Sequence, residues 1–284
     1  MAIQILIHGF LLSGLYALIA IGFTMIFSVG RVLNLAYGVY IMLGGYTYFM
    51  AAQEAGLPVF VSFILALLSG VAFGLLTYEL LVRRLENNPV AVEISTLILA
   101  VVMQAAIILI FSPSPKSMWP VLRGVLRFEE VSVTANILLA TGVSWVVLAL
   151  LMLFVRRTHL GRAIRAVSMD RRGALISGID PRNISRVTWG LSGALGAIAG
   201  VFFATITQLD PHMWVFPLIT AVAVVIVGGI GSILGGLIAA HIIGFLETIT
   251  TTLIAPELRG VVTMALIIVV LVVMPKGLFG KEEL

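Results

Sequence analysis

Nine apolar stretches, most of them long enough to cross a lipid bilayer as helices, dominate this sequence. They lie at about 5–29, 33–52, 58–82, 89–111, 137–155, 187–209, 216–231, 232–252 and 260–275. A helix needs roughly 20 apolar residues to cross about 30 Å of hydrocarbon, and it satisfies its own backbone hydrogen bonds there. The pattern therefore predicts an all-α, polytopic helical membrane protein with a single transmembrane domain over residues 1–284.

The composition supports this fold class and argues against several others. Apolar residues make up 61% of the chain and charged residues only 11%, whereas a soluble domain carries about 25% charged residues. A soluble enzyme and a nucleic-acid-binding protein are therefore excluded as first interpretations. We expect membrane lipid to surround the protein, and we expect no nucleic acid as a partner.

The unequal distribution of lysine and arginine predicts the orientation in the membrane. If the N-terminus lies outside, the inner segments hold Arg31, Arg83, Arg84, Arg156, Arg157, Arg162, Arg165, Arg171, Arg172, Arg182, Arg186, Lys276 and Lys281, and the outer segments hold Lys116, Arg123, Arg127 and Arg259. Basic residues of short loops favour the cytoplasmic side. We therefore expect an N-out/C-in protein with about seven to nine transmembrane spans.

A glycine-rich break at 228–236 interrupts the apolar region over 216–252. This broken helix pair can form either two full crossings or a re-entrant pair, and the sequence leaves both open. Either arrangement returns the chain to the same side, so the predicted orientation of the other spans does not depend on it.

The outer loop, 112–136, is long enough to carry structure of its own. It begins with a Ser-Pro-Ser-Pro run and continues with rough alternation of apolar and polar residues. Alternation between turn residues is typical of strands, so this loop predicts a small β-hairpin.

The inner loop, 156–186, is the most polar part of the chain, and it too predicts local structure. Asp170 can cap a helix over about 171–177 that Gly178 ends, and Asp180 followed by proline is typical of the start of the next helix. The short helix contains Arg171, Arg172, Gly173 and Ala174 and is followed by Gly178. Its two arginines oppose the helix dipole at the N-terminus. The loop is either a basic segment that only sets topology or a compact knob that docks on a separate ATPase.

No arrangement of residues for catalysis, metal binding or cofactor binding is apparent. The chain has no cysteine, and the GxxxxGK[ST], HExxH and GxSxG patterns have no match. The nearest approach to a site is His212 close to Asp210, which we interpret as a solvated turn. Close helix packing is predicted instead by three GxxxG spacings. These are Gly70/Gly74, Gly196/Gly200 and Gly231/Gly235.

Glu247 is the acid that lies well inside a predicted span. Intramembrane acids are typical of ion pathways, so two interpretations stay open. Glu247 can be the proton site of a secondary transporter, or a buried acid between helices that Thr250 and Thr251 satisfy. We favour the second, because no relay of charged groups accompanies it.

Several motifs resemble those of a known family. The run GRAIRAVSMD at 161–170, followed by RGALISGI at 172–179, resembles the coupling segment of branched-chain amino-acid ABC permeases, in which a GRAIRAV stretch precedes a degenerate EAA loop. The resemblance extends to the first two helices and to the end of the chain. Its further motifs are GLYALIAIG at 14–22, NLAYG at 34–38, MLGG at 42–45, GGIGSILGG at 228–236 and PKGLFG at 275–280. The chain is similar to the shorter of the family's two permease types.

The resemblance implies a permease subunit of an ABC importer in the bacterial cytoplasmic (inner) membrane. In that family a second permease subunit completes the translocation path, two ATP-binding cassette subunits hydrolyse ATP, and a periplasmic or surface solute-binding protein delivers the small-molecule substrate. The permease itself is no enzyme and needs no cofactor. The ATPase-coupling residues implied are Arg171, Arg172, Gly173, Ala174 and Gly178, and the candidate path residues are Asn34, Tyr37, Gly38, Gly228, Gly229 and Gly231.

Two departures from the family pattern bear on function. Arg172 stands where the glutamate of the EAA pattern is expected, and Tyr37 stands where a histidine is common. The substrate class therefore stays open between amino acids, with branched-chain ones favoured, and related small solutes such as urea, amides and organic acids. The alternative function is a stand-alone secondary transporter of small solutes, for which paired intramembrane charges are the discriminating feature.

Overall fold

A helix lies in each of the nine predicted apolar stretches. The structure is a computed structural model that describes residues 2–128, 131–229, 231–274 and 277–279. Lys276 and Lys281, which entered the orientation argument, lie outside these residues. The helices are α1 (Ala2–Gly30), α2 (Tyr37–Phe49), α3 (Val59–Thr77), α4 (Arg83–Leu85), α5 (Pro89–Phe111), α6 (Ala135–Arg157), α7 (His159–Met169), α8 (Arg171–Ile176), α9 (Pro181–Ile206), α10 (Val215–Gly228), α11 (Ile233–Leu253) and α12 (Val261–Val273). π-helical turns over Met50–Glu54 and Tyr78–Val82 extend α2 and α3.

The helices fall into two length classes. Six helical segments in the described part of the chain are long and apolar enough to cross a membrane, and they contain α1, α3, α5, α6, α9 and α11. The apolar helices α10 and α12 have 14 and 13 residues, which at 1.5 Å per residue is only about 20 Å. The helical, polytopic fold class is therefore confirmed, while the number of complete crossings stays a prediction.

Two long helices, α1 and α9, form the centre of the bundle. Their most apolar windows are 83% and 78% buried, against 22% for α3 and for α5. Glycines make the close approach to α9 possible. A Cβ added at Gly70 would overlap the backbone carbonyl of Gly193, and one at Gly200 would overlap that of Ile41. The backbone of α9 is therefore in direct contact with the backbones of α3 and α2, as expected for helices that associate in lipid.

The close helix packing predicted from the GxxxG spacings is present at both glycines of the first two pairs and at one glycine of the third. Gly74 and Gly196 also contact neighbouring helices, at Trp189 and Tyr40. Gly231, in contrast, lies in the turn before α11 with φ +80°. Its partner in the spacing, Gly235, packs on the carbonyl of Gly228 within one hairpin. The third pair therefore closes the α10–α11 hairpin and does not form an interhelical GxxxG face.

Two helices begin part-way along the bundle. Tyr37, the first residue of α2, packs on Gly22 of α1, which lies eight residues, or about 12 Å, before the end of that helix. Phe216, near the start of α10, lies against Tyr16 with 6.1 Å between ring centroids. Because Tyr16 is the middle residue of α1, α10 runs beside only half of it. The glycine-rich pair is thus a half-length helix joined to the longer α11 in an antiparallel hairpin.

The two ends of the bundle differ in character. At one end the predicted hairpin is present as β1 (Val125–Phe128) and β2 (Val131–Thr134), paired antiparallel with Val125 opposite Thr134. The Asn136 amide fixes this loop by accepting from the Val121 N–H and donating to the Thr205 hydroxyl, both at 3.0 Å. We call this end, with the start of α1, the hairpin end. We call the opposite end, which carries α7 and α8, the arginine end.

Candidate functional site

The short helix expected in the arginine-rich loop is present as α8. The Asp170 carboxylate caps it by accepting from the Arg172 backbone N–H at 2.9 Å. The helix ends at Gly178, whose φ of +82° favours glycine, and the N–H of Ile179 donates to the carbonyl of Ala174 at 3.0 Å. This is the Schellman arrangement of a helix C-terminus. Asp180 caps α9 in the same way as Asp170 caps α8, with proline at its first position.

Large apolar side chains form part of the exposed surface of α8, and Ala174 is not among them. Ala174 is only 4% exposed and packs into the main core, whereas Leu175 and Ile176 are 61% and 87% exposed and Met169 just before the helix is 77% exposed. Ala174 therefore does not lie on the exposed surface of α8, because the helix turns this face inward, and its role in coupling stays a prediction. The sequence analysis missed the three exposed residues. The sequence feature that could have identified them is the presence of large apolar residues in the most polar loop.

Two partly buried glutamates, Glu79 and Glu86, form ion pairs that join this loop to the rest of the bundle. Glu86, between α4 and α5, accepts from Arg171 at 2.7 Å and from Arg182 at 3.3 Å, and its side chain is only 14% exposed. Glu79 pairs with Arg83 at 2.8 Å and also with Arg186 of α9. Exposed ion pairs contribute little stability singly, but a shared acid with two arginines fixes geometry. Arg171 is thus an internal anchor of α8, while Arg172 is exposed.

Three of the candidate path residues come together at the start of α2. The Asn34 side chain is fully buried, donating to the Tyr40 hydroxyl and accepting from the Ala36 N–H, both at 3.1 Å. Tyr37 is also fully buried, and its hydroxyl has no hydrogen-bond partner among the described residues. Gly38 lies so close to the carbonyl of Trp214 that a Cβ would overlap it. This group therefore marks where the starts of α2 and α10 meet.

The other candidate path residues lie elsewhere. Gly228 ends α10, and Gly229 and Gly231 have φ of +93° and +80° in the turn before α11. The Leu278 N–H donates to the carbonyl of Val227 at 2.8 Å, so the C-terminal segment packs on this turn. The length of α10, about 21 Å, separates the turn from Gly38. The structure does not bring the two groups together.

Glu247 is buried, but its predicted partners are wrong. It is 1% exposed, its Oε1 accepts from the Thr263 hydroxyl at 2.7 Å, and its Oε2 accepts from the Tyr16 hydroxyl. The hydroxyls of Thr250 and Thr251 instead donate to backbone carbonyls four residues earlier. Threonine in a helix commonly bonds in this way. The carboxylate is therefore satisfied from α1 and α12, as a buried acid between helices was expected to be.

The histidines and acids of the described residues form no metal-binding group. His212 lies 3.1 Å from the Asp210 carboxylate in an exposed turn, and the same carboxylate accepts from the His212 backbone N–H. This geometry is that of a solvated turn.

A family model for the branched-chain amino acid transport system permease component matches residues 5–271. The chain belongs to the family of branched-chain amino-acid ABC transporter permeases. The permease is 29% identical to the high-affinity branched-chain amino acid transport system permease protein LivH of Escherichia coli and to BraD of Pseudomonas aeruginosa, over 99% of its own length and 96% of theirs. It is 31% identical to the galactofuranose transporter permease protein YtfT of Escherichia coli, over 90% of its own length and 75% of that protein. No solved structure matches it significantly.

Family membership and the apolar helices together establish the cellular location and the general role of the permease. It is a multi-pass protein of the bacterial cytoplasmic membrane and a transport component of an ABC importer. The galactofuranose relative shows that the wider family includes permeases of sugar systems. The similarity in sequence to LivH and BraD extends over the whole chain, from α1 to α12.

Proposed function

We propose that the permease passes amino acids, branched-chain ones first, through a path that it forms with a second permease subunit. Two ATP-binding cassette subunits supply the energy and hydrolyse the ATP, and a soluble binding protein delivers the solute. The substrate proposal is supported by LivH and BraD, which are named for branched-chain amino acids. A related small polar solute is the second candidate, supported by the galactofuranose system of YtfT.

The exposed apolar surface of α8 is the observation that carries this proposal. Leu175 and Ile176 stand out from a short helix in the most polar loop, at 61% and 87% exposure. Large apolar side chains exposed on a polar loop are typical of a protein contact. A separate ATPase subunit on the cytoplasmic side fits, since the permease has no nucleotide-binding motif of its own.

The ion pairs of the arginine end support a mechanical role for α8. Through Arg171 and Arg182, Glu86 joins α8 and the start of α9 to the connection between α4 and α5. A displacement of α8 by an ATPase would therefore be transmitted to α4, α5 and α9 together. Residues 156–186 form the proposed cytoplasmic coupling loop, in which Arg171 holds α8 in place, Gly173 leaves room for the capping Asp170 carboxylate, Gly178 ends the helix, and Arg172 adds an exposed charge.

The proposed orientation places the arginine end in the cytoplasm and the hairpin end, with the loop 112–136, outside. The path is proposed to open where the half-length helix α10 meets α2. There the unpartnered Tyr37 hydroxyl carries a desolvation cost of about 1–3 kcal/mol in the described conformation. This hydroxyl lies against Gly22 of α1, so a movement of the start of α2 away from α1 would relieve that cost. The glycines 228, 229 and 231 are proposed to give the far end of α10 its freedom to move.

Purification and reconstitution test the proposal directly. The tagged permease, expressed with the second permease and the ATPase subunits, should be recovered as one complex from detergent. In proteoliposomes, the complex should take up leucine only with both ATP and loaded binding protein, and the same preparation without binding protein is the control. A permease that stays alone in detergent and takes up solute on a proton gradient would instead establish the secondary transporter.

A further inference from the structure

A buried charge cluster lies between α1, α11 and α12, and neither the coupling loop nor the α2–α10 junction uses it. Its acid is Glu247, which Tyr16 and Thr263 already satisfy with one hydrogen bond to each carboxylate oxygen. Its cation is Arg259, in the connection between α11 and α12, beside Tyr16 at the middle of α1. A buried acid in a membrane protein costs free energy unless it is paired, so the arginine makes the cluster neutral.

The contacts of Arg259 hold its guanidinium in place but use only some of its hydrogen-bond donors. Its Nε lies 3.8 Å from Glu247 Oε2, which is an ion-pair distance and too long for a hydrogen bond. Its Nη2 donates to the Tyr16 hydroxyl at 3.2 Å, and its guanidinium lies 4.6 Å from the centroid of the Phe216 ring. Among the hydrogen bonds of the described residues, this guanidinium makes only the one to Tyr16, and its side chain is 33% exposed.

Such an arginine has the geometry of a carboxylate receptor. A guanidinium carries five N–H donors in a rigid fork that matches a carboxylate with two parallel hydrogen bonds. Here an aromatic ring and a tyrosine fix the orientation of the fork, while most of its donors are left for another acceptor. The rim of the site is the start of α10, at Phe216, on the side of the bundle that faces the hairpin end.

We propose that Arg259 binds the carboxylate of the transported amino acid during its passage from the hairpin end. The proposal rests on the proposed function and adds the residue that recognises the solute. Glu247 and Tyr16 are positioning residues, since they act only through Arg259. Glu247 also keeps the cluster neutral, so the solute competes with an internal carboxylate and binds weakly. Weak binding suits a path, because a solute held too tightly cannot leave.

A double substitution separates this role from a purely structural one. Arg259→Gln alone leaves Glu247 buried without its cation, and either role predicts a loss of uptake. Arg259→Gln combined with Glu247→Gln removes both charges together. If Arg259 only neutralises Glu247, the double variant recovers. If Arg259 binds the solute, leucine uptake by the reconstituted importer stays at least tenfold below the unmodified complex at the same amount of assembled protein.

Cysteine labelling supplies a second measurement that does not depend on the uptake rate. The chain contains no cysteine, so Leu258→Cys, at a 36% exposed residue next to Arg259, gives a single reactive site in the permease and leaves the arginine in place. Leucine-loaded binding protein with ATP should slow its reaction with an impermeant methanethiosulfonate reagent at least threefold. The matched control is Leu122→Cys, 48% exposed and next to Arg123, which lies 5.4 Å from the Trp119 ring in the outer loop, and its labelling should not respond to leucine.

Three results would overturn the proposal. They are recovery of uptake in the double variant, equal labelling of residue 258 with and without leucine, and protection of residue 258 by anionic lipid rather than by leucine. If the double variant does not assemble, the labelling result decides. A failure of the unmodified importer to take up any amino acid would refute the proposed function, whereas normal uptake with labelling of residue 258 that does not respond to leucine refutes only this assignment.

Discussion

Ile176→Ala should weaken the attachment of the ATPase subunit without harming the permease. Ile176 is 87% exposed at the tip of α8, so in the free permease its truncation changes stability by about 0.5 kcal/mol or less. The substitution removes three carbon atoms, each worth about 0.8 kcal/mol when buried. Scaled to the exposed fraction, burial of this side chain by the ATPase contributes about 2 kcal/mol, which corresponds to about a 30-fold change in Kd.

The assay is a titration of purified ATPase subunit against the permease pair held in nanodiscs, with bound ATPase measured at equilibrium. The matched control is Ile110→Ala, because Ile110 is 70% exposed at the hairpin end of α5, far from the proposed contact. The control should bind the ATPase as the unmodified permease does. A Kd for the Ile176 variant within twofold of the unmodified value would refute the assignment of α8 as the coupling helix.

Three further substitutions test other parts of the structure. Ala174→Trp should lower the thermal unfolding midpoint of the isolated permease, because Ala174 is 4% exposed and overpacking costs about 1–3 kcal/mol; an unchanged midpoint would contradict its burial. Gly235→Leu should reduce the yield of monodisperse protein in size-exclusion chromatography, since a side chain there overlaps the Gly228 carbonyl, and normal yield with normal uptake would show that the hairpin can open. Ser177→Cys, exposed after α8, should react with an impermeant maleimide only from the cytoplasmic side, and reaction from outside would reverse the proposed orientation.

Much of the helical structure could be predicted because it depends on local sequence. Apolar length predicts the long helices, and the caps of α8 and α9 follow from aspartates whose side chains bond backbone N–H groups two residues ahead. The β-hairpin likewise follows from alternation and turn residues within one loop. These features need no information from distant parts of the chain.

Features that depend on distant contacts could not be predicted in this way. The partners of Glu247 are 231 and 16 residues away along the chain, so a search of helical neighbours found the wrong threonines. Hydropathy measures the length of an apolar stretch and not where along the bundle the helix begins. The sequence therefore did not show that α10 runs beside only half of α1. Ala174 is a small residue in a polar loop, and only the packing of α8 shows that it faces inward.

The backbone contacts made by α9 constrain how the permease can move. Where Gly193 meets Gly70 and Gly200 meets Ile41, no layer of side chains lies between the helices that could change rotamer and let them slide. Helices α2, α3 and α9 should therefore travel as one rigid body through a transport cycle. Helix α10 lies outside this group and meets α2 over a much shorter stretch than α9 does, around Gly38 and Trp214, so the hinge lies at that short contact.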